Sequence, residues 1–259
     1  MIVDSHCHLD FPELYADLDG VIARAKNAGV GCMLTICTSV ASIPKVLGIA
    51  EKHPEVYAAI GIHPHRVEEN GVLPVEQIVS WTEHPKVIGI GETGLDYHYD
   101  KSPRDMQRQS FVNHIEAARQ TGLPFITHTR NADADTSSIL DEMCGDGQAN
   151  GLLHCFSSGR ALAEHAVERG LYISFSGILT FRNSQDIRDT AKIMPEDRLL
   201  VETDAPFLAP VPKRGKTCEP AFTAYTAGVL AEARGVDAAE VGEVTTDNFF
   251  RLFGKADRL

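Results

Sequence analysis

Short apolar, β-branched runs alternate with longer segments of helical period along the whole chain. This alternation limits the possible folds more than any single motif does. The runs lie at residues 2–4, 32–37, 57–62, 87–91, 125–128, 152–155, 172–175 and 199–202. Between them, residues 18–28, 103–120 and 161–169 carry helical patterns that stop at or just before Gly29, Gly122 and Gly170. Eight strands with helices between them predict an α/β chain folded as a TIM (β/α)₈ barrel. The 259 residues suit that fold, which takes about 250. The rival is an open doubly wound sheet, which carries a glycine-rich phosphate turn after its first strand. Here that position holds His6-Cys7-His8. Residues 133–135 and 145–151 read as loops, and no repeat or linker divides the chain, so one domain over residues 1–259 is expected.

The strand reading gives the polar residues their meaning. In an extended strand, residues two apart face the same side, so His6 and His8 point together and Cys7 points away toward the helices. Glu92, His128, His154 and Asp204 each follow an apolar run. A barrel gathers the C-terminal ends of its strands at one mouth. Any one of these residues alone is more often a satisfied structural group; their arrival at one mouth from five strands is what points to metal. Four imidazoles and two carboxylates exceed the needs of one ion, since a catalytic zinc takes three protein ligands plus water. They suit two ions bridged by a carboxylate. The expected sharing is His6, His8, Glu92 and Asp204 on one ion and Glu92, His128 and His154 on the other. Asp204 is also placed to take a proton from the attacking water. No nucleophile elbow or Ser-His-Asp order suggests covalent acyl chemistry.

Further residues fall around the predicted mouth. His63 and His65, in Gly61-Ile62-His63-Pro64-His65, can contact substrate phosphate or a third ion, or serve as loop histidines fixed by Pro64. Arg130, two residues past His128, can bind phosphate or form a surface ion pair. Lys213, Arg214 and Lys216 form the compact basic cluster on the loop after the last strand, and Arg214 and Lys216 are expected to face phosphate. Glu202 shares a face with Asp204 and is expected to orient a ligand or the water, as are Asp10 and Asp96 more weakly. Trp81 is expected in the helix layer rather than as a platform for bases.

The bulk numbers narrow the chemistry. The formal net charge is −12, which argues against a protein that coats nucleic acid through a broad basic footprint. Local capture of one phosphate by ions and a few placed cations is compatible with it. The six cysteines form no C-x-x-C pair and read as reduced thiols. No apolar run is long enough to span a bilayer, and Met1-Ile2-Val3-Asp4-Ser5-His6 does not resemble a secretory leader. A cytoplasmic enzyme with no membrane contact and no obligate protein partner is expected.

Several blocks, taken together and in order along the whole chain, carry a family resemblance. These are Asp4-Ser5-His6-Cys7-His8-Leu9-Asp10, Gly61-Ile62-His63-Pro64-His65, Gly89-Ile90-Gly91-Glu92-Thr93-Gly94-Leu95-Asp96-Tyr97, Leu153-His154-Cys155-Phe156 and Glu202-Thr203-Asp204-Ala205-Pro206. Ala209-Pro210, Arg214-Gly215-Lys216 and Asn248-Phe249-Phe250-Arg251-Leu252-Phe253 follow. The chain thereby resembles the TatD family of metal-dependent deoxyribonucleases and hydrolases. The resemblance implies a TIM-barrel hydrolase with two divalent ions acting on DNA phosphodiesters, in some members as a Mg²⁺-dependent 3′–5′ exonuclease, and it gives His63 a substrate-phosphate role. There are departures. Thr127-His128-Thr129-Arg130-Asn131 stands where the family more often has His-Ser-Arg-Asp. Phe207 replaces a frequent Tyr, and Thr217-Cys218 a frequent Arg-Asn before Glu219-Pro220.

The function expected is hydrolysis of DNA phosphodiester bonds at single-stranded ends. Mg²⁺ or Mn²⁺ would support turnover, and Zn²⁺, Ni²⁺ or Fe²⁺ could also occupy so histidine-rich a site. The alternative is an amidohydrolase-type enzyme cleaving a small amide, lactone or phosphoester. A metal-binding module without catalysis is a third class, and Asp204 beside Glu202 argues against it.

Overall fold

The computed structural model describes every residue except Asp146, Gln148, Ala149 and Leu259. Among the described residues eight strands form one sheet. They are β1 (Ile2–Cys7), β2 (Val30–Ile36), β3 (Val56–Ile60), β4 (Val87–Asp96), β5 (Phe125–Arg130), β6 (Gly151–Leu153), β7 (Tyr172–Phe175) and β8 (Leu199–Val201). Sheet order follows chain order, and every neighbouring pair is parallel. A parallel bridge between Cys7 and Ala205 joins the two edges, so the sheet rolls into a nearly closed barrel. Across that seam the His8 N–H donates to the Ala205 carbonyl at 2.8 Å and the Asp204 N–H to the His6 carbonyl at 2.9 Å. Backbone pairing thus sets the first and last site segments side by side.

Apolar burial fills both sides of the barrel wall. Inside, every strand contributes to one cluster, which includes Val3, Leu34, Ala59, Ile88, Ile126, Leu152, Tyr172 and Leu200. Phe249, Leu252 and Phe253 belong to the same cluster. They come from and just after helix Ala238–Leu252, which closes the end of the barrel opposite the mouth. Outside, Leu14, Leu18, Val21 and Ile22 pack on strands β1–β3, and Phe111, Ile115, Ile139, Leu140 and Leu162 on the later strands. Trp81 packs among these outer residues, in the helix layer as expected. None of the six cysteines is in a disulfide. No helix among the described residues is long and apolar enough to cross a membrane.

The helix between β4 and β5 shows the local logic. It spans Arg104–Thr121 with Pro103 as N-cap. It stops at Gly122, whose N–H still bonds to the Ala118 carbonyl and whose φ of +72° then turns the chain out of the helix.

Three sequence expectations need correction. Residues 133–135 are not a loop but the first turn of helix Asp133–Cys144. Asp133 and Asp135 are favoured there by the positive end of the helix dipole, and Ile139 and Leu140 bury the opposite face. Of the expected loop 145–151, Gly151 opens β6, and residues 146, 148 and 149 lie outside the described residues. Strands β1, β4 and β5 run further than the apolar runs at 2–4, 87–91 and 125–128, so Glu92 lies within β4 rather than after it. Parallel pairing carries the chain on past the apolar residues, with register shifts between Asp4 and Cys7 and between Ile90 and Thr93.

Candidate metal centre

Glu92 is the hub of the mouth, and its two carboxylate oxygens face different groups. Oε2 lies 3.5 Å from His6 Nε2 and 3.9 Å from His8 Nε2. Oε1 lies 2.7 Å from His154 Nε2, 3.0 Å from His128 Nδ1 and 3.4 Å from His63 Nε2. Asp204 joins the first group, its Oδ1 3.4 Å from His8 Nε2 and 3.7 Å from His6 Nε2. The His6 and His154 rings stack at 3.8 Å and join the two halves.

Most of these rings are held from behind. His8 Nδ1 donates to the Ile36 carbonyl at 3.3 Å. His154 Nδ1 donates to Glu202 Oε1 at 3.2 Å, and the Cys155 N–H also binds that oxygen. His128 Nε2 donates to Asp96 Oδ2 at 3.0 Å. Asp96 in turn accepts the N–H groups of His98 and Tyr99 and a bond from His65 Nε2. In each case the other ring nitrogen faces Glu92 or Asp204. Outer carboxylates and carbonyls that orient a ring in this way are what metal-ligating histidines require.

His63 differs. Its Nδ1 accepts the His65 N–H at 3.0 Å. A neutral imidazole has one protonated nitrogen, so Nε2 carries the hydrogen, and a protonated nitrogen has no lone pair for an ion. His63 can donate a hydrogen bond into the mouth but, in this state, cannot ligate through Nε2.

The donor set passes a direct test of fit. Both ring nitrogens of His6 and Oε2 of Glu202 are buried without a hydrogen bond, and His154 Nε2 meets only the Glu92 carboxylate, at 2.7 Å. Such atoms are costly to bury, and divalent ions among them would be their partners. Among the described residues, the groups whose ligand atoms already lie close together are His6, His8 and Glu92; His6, His154 and Glu202; and His63, Glu92 and His128, and His128 and His154 both face Glu92 Oε1. The tautomer of His63 argues against the last of the three groups.

Electrostatics agrees. Burial alone would push the Glu92 carboxyl up, but His154, His63 and His128 outweigh it and hold the group well below the usual carboxylate range. Burial raises Asp204 as well, and His8, His154 and His6 more than offset it. Burial disfavours the charged form of His154, yet Glu92 and Glu202 raise its pKa well above the ordinary value. His128 is raised by Asp96 and Glu92 against the same penalty. Glu92 and Asp204 are thus both favoured in the charged form that a metal ligand needs.

With this geometry in view, the chain can be compared with known proteins. The model of the family described as TatD related DNase matches residues 3–254. The chain belongs to the TatD family. It is a metal-dependent hydrolase of that family. It is 42% identical over 259 residues to the metal-dependent hydrolase YcfH of Escherichia coli, covering 97% of this chain and 95% of that one. It is 33% identical over 258 residues to the 3′-5′ ssDNA/RNA exonuclease TatD of Enterobacter lignolyticus, covering 98% and 99%. Among solved structures, the TatD homologue YjjV of Escherichia coli superposes with a TM-score of 0.91 at 30% identity, covering 98% of each chain.

In this TatD chain the six expected ligands, His6, His8, Glu92, His128, His154 and Asp204, come together, and Glu202 stands directly behind His154. His65 is tied through Nε2 to Asp96. Arg130 ends β5 and lies over the Tyr99 ring at 4.8 Å. Arg214 is not among the site contacts: its guanidinium lies over the Phe181 ring at 3.9 Å and donates to the Ala209 carbonyl. Lys216 is exposed on the same loop.

Two supports escaped the sequence reading. Asp4 accepts the Thr203 N–H at 2.9 Å, the Thr203 hydroxyl at 2.6 Å and the His6 N–H at 3.3 Å. It thus pins β1 to the segment that carries Asp204. Burial pushes its carboxyl up to about 8 against those bonds. Its signal was a lone acid inside an apolar run. His114 is buried on helix Arg104–Thr121 and accepts the Ile62 N–H at 3.1 Å, one residue before His63. Nothing in its sequence neighbourhood marked it.

Proposed function

We propose that this single-domain hydrolase cleaves DNA phosphodiester bonds with two divalent ions, trimming single-stranded ends in the 3′–5′ direction. In this reading His6, His8, Glu92 and Asp204 hold one ion and Glu92, His128 and His154 the other. The observation that carries it is the division of Glu92, with one oxygen toward each histidine group. A carboxylate so placed suits a bridge. The relative named as an ssDNA/RNA exonuclease supports the substrate class.

Ions bound there would acidify water and polarise the phosphoryl oxygen. The chain's own residues supply the rest. Asp204 is the proposed proton acceptor. Its side chain is 15% exposed, against 3% for Glu92 and 0% for Glu202, so it is the hub carboxylate that water reaches. The Nε2–H of His63 is placed to donate to a phosphate oxygen. Glu202 holds His154, and Asp96 holds His128, so neither ring need reorganise during turnover. Arg130 and His65 flank the terminal phosphate in this reading, and Arg214 and Lys216 meet the strand further out. Mg²⁺ or Mn²⁺ would support turnover, with Zn²⁺, Ni²⁺ or Fe²⁺ as competing occupants.

Metal content and activity test this together. Protein purified without chelator should carry metal and shorten single-stranded oligonucleotides. Glu92→Gln should lose bound metal and trimming. Asp204→Asn should lower trimming by about 10²–10⁴-fold, the usual range for a general base. Wild-type protein that binds metal and hydrolyses only small esters would refute the DNA reading.

A further inference from the structure

A chain with a net charge of −12 gains little from long-range attraction to nucleic acid. If it binds strand ends, the grip must be local and must tolerate any base. Stacking on aromatic rings has both properties, because every base has a π-face.

Two exposed rings stand at the mouth. Tyr99 is 51% exposed and Phe207 49%. Phe207 is the one exposed phenylalanine of the eleven. Both are anchored to the site by their backbones. The Tyr99 N–H donates to Asp96 Oδ1 at 2.8 Å, on the carboxylate that holds His128. The Phe207 N–H donates to the Asp204 carbonyl at 2.9 Å. Both rings touch site side chains. Tyr99 meets His65 edge-on at 5.4 Å. Phe207 lies 6.3 Å from His8 and edge-on to Phe11 at 5.8 Å, and Phe11 is itself stacked on His8 at 4.8 Å. Tyr99 follows β4 and Phe207 follows β8, four strands apart in a barrel of eight, so they flank the mouth from opposite sides. Arg130 and Lys101 lie over the Tyr99 ring at 4.8 and 5.6 Å, so a base stacking there would displace one of these cations from the ring toward the nucleotide's own backbone phosphate.

We infer that Phe207 and Tyr99 are base-stacking platforms for the two nucleotides on either side of the scissile phosphate. The inference rests on the proposed action at nucleic-acid ends. It explains how an acidic protein would prefer single strands: bases paired in a duplex cannot turn onto rings on opposite sides of one phosphate. Phe207, which lacks a hydroxyl, is a purely stacking surface that needs no polar partner.

Binding and substrate modification test it together. The probe is a fluorescein-labelled single-stranded decamer whose terminal linkages are phosphorothioates, titrated by anisotropy in Mg²⁺. A second probe lacks the bases of its last two nucleotides. Phe207→Ala and Tyr99→Ala should each weaken binding of the first probe by about tenfold, within the range one stacked base supplies. Phe207→Trp should restore it. On the abasic probe the wild type should itself bind more weakly, and the alanine variants should match it. A terminal 2-aminopurine should be quenched by the wild type and less so by Phe207→Ala. Alanine variants within twofold of wild type on the first probe, or an equal penalty on both probes, would overturn the inference. If the metal-loaded wild type neither binds nor trims any oligonucleotide, the nucleic-acid reading itself fails and takes the platforms with it.

Discussion

His114 offers a prediction whose size follows from its surroundings. The ring is fully buried. Its Nδ1–H donates to the Ser110 carbonyl at 2.7 Å, and Nε2 accepts the Ile62 N–H at 3.1 Å. That arrangement needs the neutral form, since a protonated Nε2 would meet the Ile62 N–H donor to donor. Burial lowers the pKa from 6.5 to about 4, although the Ser110 bond pulls the other way. In the unfolded chain the residue titrates near 6.5. The folded pKa is the lower one, so the unfolded state takes up the proton first. The stabilising contribution is complete above about pH 6.5 and is lost as pH falls toward about 4. A difference of that size corresponds to about 3 kcal/mol, a large part of the roughly 5–15 kcal/mol that holds a domain folded. Urea denaturation at pH 7 and pH 4.5, with metal removed by chelator, would measure it. His114→Gln removes the proton site and keeps one hydrogen-bonding group. At pH 7 the variant should be less stable than wild type, by about 1–2 kcal/mol for the lost bond. By pH 4.5 the deficit should shrink or reverse. Other acid-sensitive groups are shared and cancel in the comparison. Stability curves of wild type and variant that stay parallel from pH 7 to 4.5 would refute the assignment.

Two further substitutions probe the supports of the site. Glu202→Gln replaces the carboxylate that accepts the His154 Nδ1–H with an amide, and metal affinity should fall by about 10–100-fold. Isothermal titration with Mn²⁺ would read this, and unchanged affinity would show that Glu202 does not orient the ring. At Gly94 the backbone has φ +127°, and an added Cβ would collide with the His128 carbonyl oxygen. Gly94→Ala should therefore displace β5 at His128, lower the melting temperature and abolish metal binding at the His128 side. A variant with wild-type melting and full metal content would contradict that packing.

What the sequence alone determined was a matter of periodicity and strand ends. Apolar runs marked all eight strands because a parallel barrel strand is buried on both faces. The six candidate ligands were legible because each lies in or within a few residues of the end of such a run, where a polar side chain reaches the mouth. The helix beginning at Asp133 was missed, because five of its first six residues, Asp133, Asp135, Thr136, Ser137 and Ser138, have weak helix propensity. Ile139 and Leu140 offset that weakness only once the barrel supplies a wall to pack on. The tertiary structure decided what depends on distances between residues far apart in the chain. Examples are the separate assignment of Glu92's two oxygens, the proton position on His63, the clasp of Asp4 on Thr203 across 199 residues, and the placing of Tyr99 opposite Phe207. Hydrogen bonds and ion contacts act over a few ångströms, and closing the barrel is what brings those atoms within range.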